Sequence, residues 1–379
     1  MTMSIDELTF RDTAIPWNPI SLSGLLDIIG ATNMIIIMKT GTERDVITPV
    51  IARIEELGLQ AHPIIGEGQA IVGVVGLPLP PSLDEMFEVM PGVERVVRVS
   101  KKYKLAGWDF HPQKTVIRID DVEIGSDEVT IIAGPCSVES EEQVMESARA
   151  VKALGAKLLR GGAYKPRTSP YEFRGMGVKG LEILATAREE TGLKIITEVM
   201  TPSDVEVVGQ YTDIFQIGAR NCQNYLLLEE VGKANKPVML KRGLSLLIEE
   251  WLLAAEYVMA QGNPNVILCE RGIRTFENAT RNTLDVSAVP VLQSMSHLPV
   301  FIDPSHAAGK RLLVGALALA GVAAGADGLM IEVHPNPDLA MSDGAQSLDF
   351  DEFAALMPKI SAVSQAVGRS LPIPAGAGV

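Results

Sequence analysis

Cysteine is scarce in this chain of 379 residues: Cys136, Cys222 and Cys269 stand far apart and are odd in number. That argues against the disulfide framework of a small secreted domain and leads us to expect a reducing, cytoplasmic setting. Long apolar runs are missing too. The run at 34–38 falls far short of the roughly 18 residues that cross a bilayer, and Asp6, Glu7 and Asp12 stand where a secretory leader carries basic residues. Neither a membrane span nor a signal peptide is expected. Positive charge is the third deficit, with 33 Lys and Arg against 47 Asp and Glu and a formal net charge of −14. This argues against general affinity for nucleic acid or anionic membrane, so an anionic ligand has to be met by basic residues gathered locally.

What is present is apolar side chain, 47% against 21% charged, enough for a large core and too much for a disordered chain. The length suggests about two or three domains. Residues 1–32, with Pro16 and Pro19, read as an N-terminal extension of open role. Over 33–100 the pattern is an apolar run at 34–38, helical spacing over 43–57, strands at 61–65 and 70–75, a helix at 83–90 and a strand at 93–99. That β-α-β-β-α-β order predicts a ferredoxin-like α+β domain, an arrangement often used for small-ligand regulation. His62 is its one polar ring and reads as a surface strand residue.

Residues 101–128 read as a linker with a barrel-capping hairpin at 116–119 and 122–124. Over 129–370, apolar runs at 129–133, 157–159, 194–197, 214–217, 238–240, 266–268, 300–302 and 329–333 alternate with helical patterns such as 141–154, 179–191, 247–259, 312–324 and 350–367. Eight strand-helix units in roughly 250 residues predict an α/β fold, a (β/α)8 TIM barrel. An open doubly wound sheet is the second choice, weakened because no Gly-rich dinucleotide fingerprint follows the first strand.

In such a barrel the chemistry stands at the carboxyl ends of the strands. Arg160, Lys165, Arg167, Arg220, Lys241 and Arg271 all follow predicted strands. Any one of them reads as a solvated loop residue, but together they predict a pocket for several phosphate or carboxylate groups. Cys136, His306, Glu332 and Asp343 form a second set, a thiol, an imidazole and two carboxylates suited to a borderline divalent ion such as Mn, Fe, Co or Zn. Strands one and eight become neighbours when a barrel closes, so their distance in sequence is no obstacle. His334, two residues after Glu332 and on the same strand face, competes as a ligand. Cys222 and Cys269 read as packing residues.

The stretches Ala133-Gly134-Pro135-Cys136-Ser137, Leu159-Arg160-Gly161-Gly162-Ala163-Tyr164-Lys165-Pro166-Arg167-Thr168, Ile217-Gly218-Ala219-Arg220-Asn221, Asp303-Pro304-Ser305-His306 and Met341-Ser342-Asp343-Gly344 are more specific. Through them the chain resembles the 3-deoxy-arabino-heptulosonate 7-phosphate synthases, in the subtype with an N-terminal ferredoxin-like regulatory domain, over about 34–368. The resemblance implies condensation of phosphoenolpyruvate with erythrose 4-phosphate, the first step of the shikimate pathway. It implies Cys136, His306, Glu332 and Asp343 as metal ligands. It places Arg160, Lys165, Arg220, Lys241 and Arg271 at the phosphoenolpyruvate site, and Lys165, Pro166, Arg167 and Thr168 at the erythrose 4-phosphate site. A homotetramer and an aromatic amino acid effector, tyrosine or phenylalanine, are implied as well, with no effector residue assigned. Lys165 is expected to deliver a proton, since a lysine among cations has a lowered pKa.

Three rivals remain. The related 3-deoxy-octulosonate 8-phosphate synthases use arabinose 5-phosphate and carry Lys-Ala-Asn-Arg where this chain reads Lys165-Pro166-Arg167-Thr168. A Schiff-base aldolase would use Lys241. A binding protein that has lost activity would not need the Cys136, His306, Glu332 and Asp343 set.

Overall fold

The computed structural model describes residues 33–65, 70–76, 79, 83–98, 103–167, 169 and 171–374; the extension 1–32 and Thr168 lie outside the described residues. The chain divides into two compact units, Met1–Lys104 and Leu105–Val379.

In the first unit the elements run β1 (Met34–Met38), α1 (Arg44–Glu56), β2 (Gln60–Ile65), β3 (Ala70–Val75), α2 (Leu83–Glu88) and β4 (Val93–Arg98). The strands form one antiparallel sheet in the order β2-β3-β1-β4, the ferredoxin-like arrangement expected from the sequence. The apolar positions of α1, Ile47, Val50, Ile51 and Ile54, fall on one helical face and pack with Ile36, Val72 and Phe87. Arg98 forks onto Asp84 at 2.6 and 2.8 Å, tying β4 to α2. His62 is partly buried on β2, paired with Gly73 of β3.

The second unit opens with the hairpin β5 (Ile117–Ile119) and β6 (Val122–Ile124). Eight parallel strands follow: β7 (Thr130–Gly134), β8 (Leu158–Arg160), β9 (Lys194–Glu198), β10 (Ile214–Ile217), β11 (Val238–Lys241), β12 (Val266–Glu270), β13 (Val300–Ile302) and β14 (Gly328–Glu332). They close into a barrel, with β14 pairing β7 from Gly328↔Thr130 to Glu332↔Gly134. The open-sheet alternative is thereby overturned. Around the strands run α3 (Glu141–Ala153), α4 (Val178–Thr191), α5 (Val205–Gly209), α6 (Tyr225–Lys233), α7 (Ile248–Met259), α8 (Ala288–Met295), α9 (Pro304–Ala308), α10 (Arg311–Ala323) and α11 (Phe350–Ala366).

Covered by helices outside and by one another inside, the strands are buried on both faces, which is why they read as continuous apolar runs. Helix starts are marked locally. Ser140 accepts from the Gln143 N–H at α3, and Asp349 and Glu352 form a reciprocal capping box at α11. Ile132, Leu158, Ile196, Ile214, Met239, Ile267, Phe301 and Met330 fill the barrel, and Ile117, Val122 and Ile124 of the hairpin pack onto this layer. The Thr130 hydroxyl, at the start of β7, donates to the Glu123 carbonyl of the hairpin at 3.3 Å. The hairpin therefore stoppers the amino end and leaves the carboxyl end for the site. No helix among the described residues is long and apolar enough to cross a membrane.

The segment leading into the hairpin is pinned by His297. One ring nitrogen lies 2.7 Å from the Leu105 carbonyl and the other 2.6 Å from the Thr115 hydroxyl, a pattern met by a neutral ring. Burial pushes the His297 pKa down to about 4, with His111 adding repulsion against the Leu105 bond. Since the unfolded chain binds this proton near the ordinary value of about 6.5, stability is lost as pH falls through the window from there to about 4. The expected loss is on the order of 2–3 kcal/mol. Melting temperatures at pH 7, 5.5 and 4.5 should fall more steeply for the parent chain than for His297→Gln; parallel curves would contradict this.

Candidate active site

Five barrel strands end in a charged residue that water scarcely reaches: Arg160, Glu198, Lys241, Glu270 and Glu332 are 3, 7, 3, 0 and 0% exposed. Buried charge has to be paired, and here the pairing crosses from strand to strand. Arg160 Nη1 lies 3.0 Å from Glu332 Oε1, while Nε and Nη2 donate to the Pro135 and Cys136 carbonyls at 3.2 Å. Lys241 Nζ meets Asp303 Oδ2 at 2.5 Å, and the same oxygen lies 2.7 Å from His306 Nδ1. The other Asp303 oxygen accepts the His306 backbone N–H at 2.9 Å, capping α9. Burial works against the Asp303 charge, but His306 and Lys241 hold its pKa well below the ordinary value.

With its Nδ1 held by Asp303, His306 turns Nε2 toward Glu332 Oε1 at 3.3 Å and Asp343 Oδ2 at 3.8 Å. Cys136 Sγ lies 3.2 Å from Asp343 Oδ2. The four donor atoms of Cys136, His306, Glu332 and Asp343 lie within 4.8 Å of one another. Glu332 Oε1 is buried and has no hydrogen-bond partner, because the approach of Arg160 Nη1 is close but poorly aligned. An oxygen left so, beside a sulfur, an imidazole nitrogen and a second carboxylate, fits a borderline divalent ion. Burial pushes the Cys136 thiol up to about 12, with Glu332 adding to it and Lys165 opposing. A buried protonated thiol is a poor nucleophile, whereas a metal-bound one is deprotonated by the ion, so the geometry suits Cys136 as a ligand.

Around this quartet lies a cavity of about 540 Å³ lined by Arg160, Lys165, Pro166, Arg167, Arg220, Lys241, Arg271, His306 and Asp343. The residues singled out in the sequence for substrate or metal lie at this one mouth, except Cys136 and Glu332, buried just behind it, His334, which points elsewhere, and Thr168, outside the described residues. Bare backbone lets the parts meet. A Cβ on Gly162 would collide with the Lys165 stem and crowd the Cys136 carbonyl, and Lys165 Nζ lies 3.0 Å from that carbonyl and 3.1 Å from Cys136 Sγ. A Cβ on Gly218 would strike the Glu198 carboxylate.

Two expectations need correction. Burial does push Lys165 toward the neutral amine, but Cys136, Glu198 and Glu332 outweigh it and raise its pKa above the ordinary lysine value. His334 is no member of the quartet: its Nε2 faces Glu139 Oε2 at 3.4 Å and its Nδ1 accepts the Asn336 N–H at 3.0 Å. Lys241, engaged by Asp303, is poorly placed as a carbonyl-attacking amine. Cys222 and Cys269 are buried among core residues, as expected.

The sequence reading missed Glu198, Gln216, Arg281, Gln346 and the bridging role of Asp303. Glu198 and Gln216 line the cavity, with Gln216 Nε2 3.4 Å from Glu198 Oε2. Arg281 donates to Asp343 Oδ1 at 3.1 Å and to Gln346 Oε1 at 2.9 Å, and Gln346 Nε2 donates to Glu332 Oε2 at 2.7 Å. Glu198 was findable, since it closes an apolar run as Arg160 and Lys241 do.

Asp303→Asn leaves Lys241 buried without its counter-charge, so the expected loss is about 3–5 kcal/mol of stability in denaturant unfolding. Lys241→Met combined with Asp303→Asn should recover more than half of it. Losses that simply add would show that the pair is not coupled.

A family model described as the DAHP synthetase I family matches residues 109–368, and one described as the DAHP synthase ferredoxin-like domain matches residues 34–101. Among curated proteins, a phospho-2-dehydro-3-deoxyheptonate aldolase of Thermotoga maritima is 50% identical over 335 residues, covering 88% of this chain and 99% of the relative. A 2-dehydro-3-deoxyphosphooctonate aldolase of Syntrophotalea carbinolica is 34% identical over 270 residues, covering 66% of this chain and 96% of the relative. The crystal structure of the Thermotoga maritima DAHP synthase is similar with a TM-score of 0.72 at 49% identity, covering 90% of this chain and 100% of that one. A truncated form of the synthase from that organism gives a TM-score of 0.67 at 51% identity, over 71% of this chain and 99% of the other. A matching family model across the barrel and a relative aligned nearly end to end establish that the chain belongs to the DAHP synthetase I family.

Proposed function

We propose that this chain condenses phosphoenolpyruvate with D-erythrose 4-phosphate and water to give 3-deoxy-D-arabino-heptulosonate 7-phosphate and inorganic phosphate, using the residues gathered at the barrel mouth. The observation that carries the reading is the adjacency of the Cys136, His306, Glu332 and Asp343 quartet to a cavity lined by cations. A divalent ion of the Mn, Fe, Co or Zn class held by those four residues would supply Lewis acidity toward the aldehyde oxygen.

The remaining work belongs to the chain. Two anionic substrates repel one another, by roughly 4 kcal/mol for unit charges 4 Å apart near a protein surface. Arg160, Lys165, Arg220, Lys241 and Arg271 offset that repulsion for phosphoenolpyruvate and hold its reactive carbon toward the aldehyde. Among the described residues Arg167 Nη2 is buried without a hydrogen-bond partner, a donor that the sugar phosphate would satisfy beside Pro166. Lys165, with its raised pKa, acts first as a fixed cation.

The octulosonate alternative keeps weight from relatives at 34% identity. Against it stands Lys165-Pro166-Arg167-Thr168 in place of Lys-Ala-Asn-Arg. The reading extends to an aromatic amino acid effector, supported by the ferredoxin-like domain match over 34–101, and to a homotetramer. A cytoplasmic setting is supported by three buried, unpaired cysteines.

Phosphate release from phosphoenolpyruvate should be at least about tenfold faster with erythrose 4-phosphate than with arabinose 5-phosphate. It should stop on chelation and return with added divalent ion; turnover that survives chelator contradicts the metal reading. Cys136→Ala should weaken metal binding by at least roughly 10- to 100-fold. Inhibition by tyrosine or phenylalanine that persists after deletion of residues 1–100 would remove the regulatory role, and sedimentation velocity decides the tetramer.

A further inference from the structure

His334, excluded from the quartet, belongs to a second cluster that joins two loops. Glu139 lies between Cys136 and α3, with its side chain 9% exposed. Its Oε1 accepts from the Ser137 hydroxyl at 2.9 Å and from the Met341 backbone N–H at 3.0 Å, while Oε2 faces His334 Nε2 at 3.4 Å. Gln143 braces it from behind, accepting the Glu139 N–H at 3.3 Å and donating to the Ser137 carbonyl at 3.1 Å. One carboxylate thus ties the loop that carries Cys136 to the loop that carries Asp343.

The second loop needs such a hold. Met341 is 55% exposed, so its side chain does little to anchor the turn. Asp343 has a φ of 53°, in the left-handed region that costs a non-glycine residue about 1–2 kcal/mol. Yet the turn is seated closely, with Ser342 Oγ and Asp343 Oδ2 each 3.2 Å from Cys136 Sγ. Burial opposes the Glu139 charge, but the His334, Met341 and Ser137 bonds prevail and hold its pKa below the ordinary value.

We propose that Glu139 is a positioning residue that latches the 341–343 turn to the Cys136 loop, so that Asp343 stands preformed opposite Cys136, and that His334 serves this latch. The inference rests on the ligand reading of Cys136, His306, Glu332 and Asp343. Glu139 touches none of those four side chains directly and acts through the Met341 amide. The recognising feature is therefore a pair of acceptor oxygens at a fixed distance: a glutamine keeps the one that meets the Met341 amide but sets an amide donor against the His334 Nε2–H, and an aspartate is one methylene shorter.

The test uses the full chain and two readouts, Zn²⁺ affinity by competition with a chelating dye and amide hydrogen exchange of the metal-free protein. Glu139→Ala and Glu139→Asp should bind Zn²⁺ roughly 10- to 100-fold more weakly than the parent, as loss of an outer contact does. Their amides at 341–343 should exchange faster while those of β7 and β14 do not. Glu139→Gln, which keeps the Met341 contact and loses the His334 one, should fall between the parent and Glu139→Ala, and added Zn²⁺ should restore kcat in all three variants. Parent-like affinity in Glu139→Asp, a Glu139→Gln variant as weak as Glu139→Ala, or faster exchange throughout the barrel would each overturn the latch. Should the alanine variant not fold, the aspartate variant decides. A parent that binds no Zn²⁺ would remove the ligand reading itself, and the exchange at 341–343 in metal-free Glu139→Asp would still judge the latch.

Discussion

A carboxylate with no solvent exposure organises the mouth of the barrel. Asp303 joins Lys241 at the end of β11 to His306 in α9, and caps that helix with its second oxygen. The cap and the His306 contact are local to α9, but the Lys241 contact forms only once β11, β12 and β13 lie side by side, because a whole strand and its crossovers separate the two residues. Once closed, the cost of burying the charge is met by two cationic or proton-donating partners and a backbone N–H. The consequence for chemistry is directional. An imidazole whose Nδ1 is held by a carboxylate presents its Nε2 lone pair outward, and burial, which lowers the His306 pKa, keeps that lone pair open to an ion.

The same economy of charge explains how a protein of net charge −14 serves anionic substrates. Its acidic excess is spread over the surface, where solvent and salt screen it within about 10 Å. The cations line a recess, where solvent screens them less than it screens the surface charges. Not all are equal there. Burial lowers the Arg271 pKa, while Glu332, Cys136 and Asp303 outweigh burial and raise that of Arg160. Arg160 is thus held to the metal-ligand side of the cavity and Arg271 is the guanidinium less compensated by protein, better suited to a substrate anion.

Much of this was legible in the sequence, for a definite reason. Buried parallel strands need apolar runs, and a barrel's chemistry stands where those runs stop, so Arg160, Lys241 and Glu332 could be located without coordinates. The failures follow from what one dimension hides. Lys165 was given the wrong pKa direction because its neighbours in sequence are basic, while the groups that fix its proton, Cys136, Glu198 and Glu332, come from three other strand ends. His334 was offered as a ligand by strand parity, but β14 stops at Glu332, where the chain leaves the barrel to pair Val333 with Leu348. Arg281 sits on a loop and Gln346 in a single 3-10 turn over Gly344–Gln346, both too short or irregular to carry a period.

The four donor groups are not held by the same kind of structure. Glu332 closes β14, Cys136 stands just past β7 and His306 in the short helix after β13, so closure of the barrel fixes those three. Asp343 lies in a turn beyond β14, in the left-handed backbone region that few residues other than glycine, asparagine and aspartate adopt. If these four hold an ion, three rigid donors and one borne by a loop would make ion binding and loop order parts of one equilibrium: whatever stabilises the turn would raise affinity for the ion, and the ion would in turn stabilise the turn. Arg281 belongs to the same equilibrium, since its guanidinium holds the Asp343 oxygen that faces away from Cys136. A substrate anion that drew Arg281 into the cavity would loosen one hold on Asp343, so electrostatics at the substrate side and geometry at the metal side are coupled through a single carboxylate.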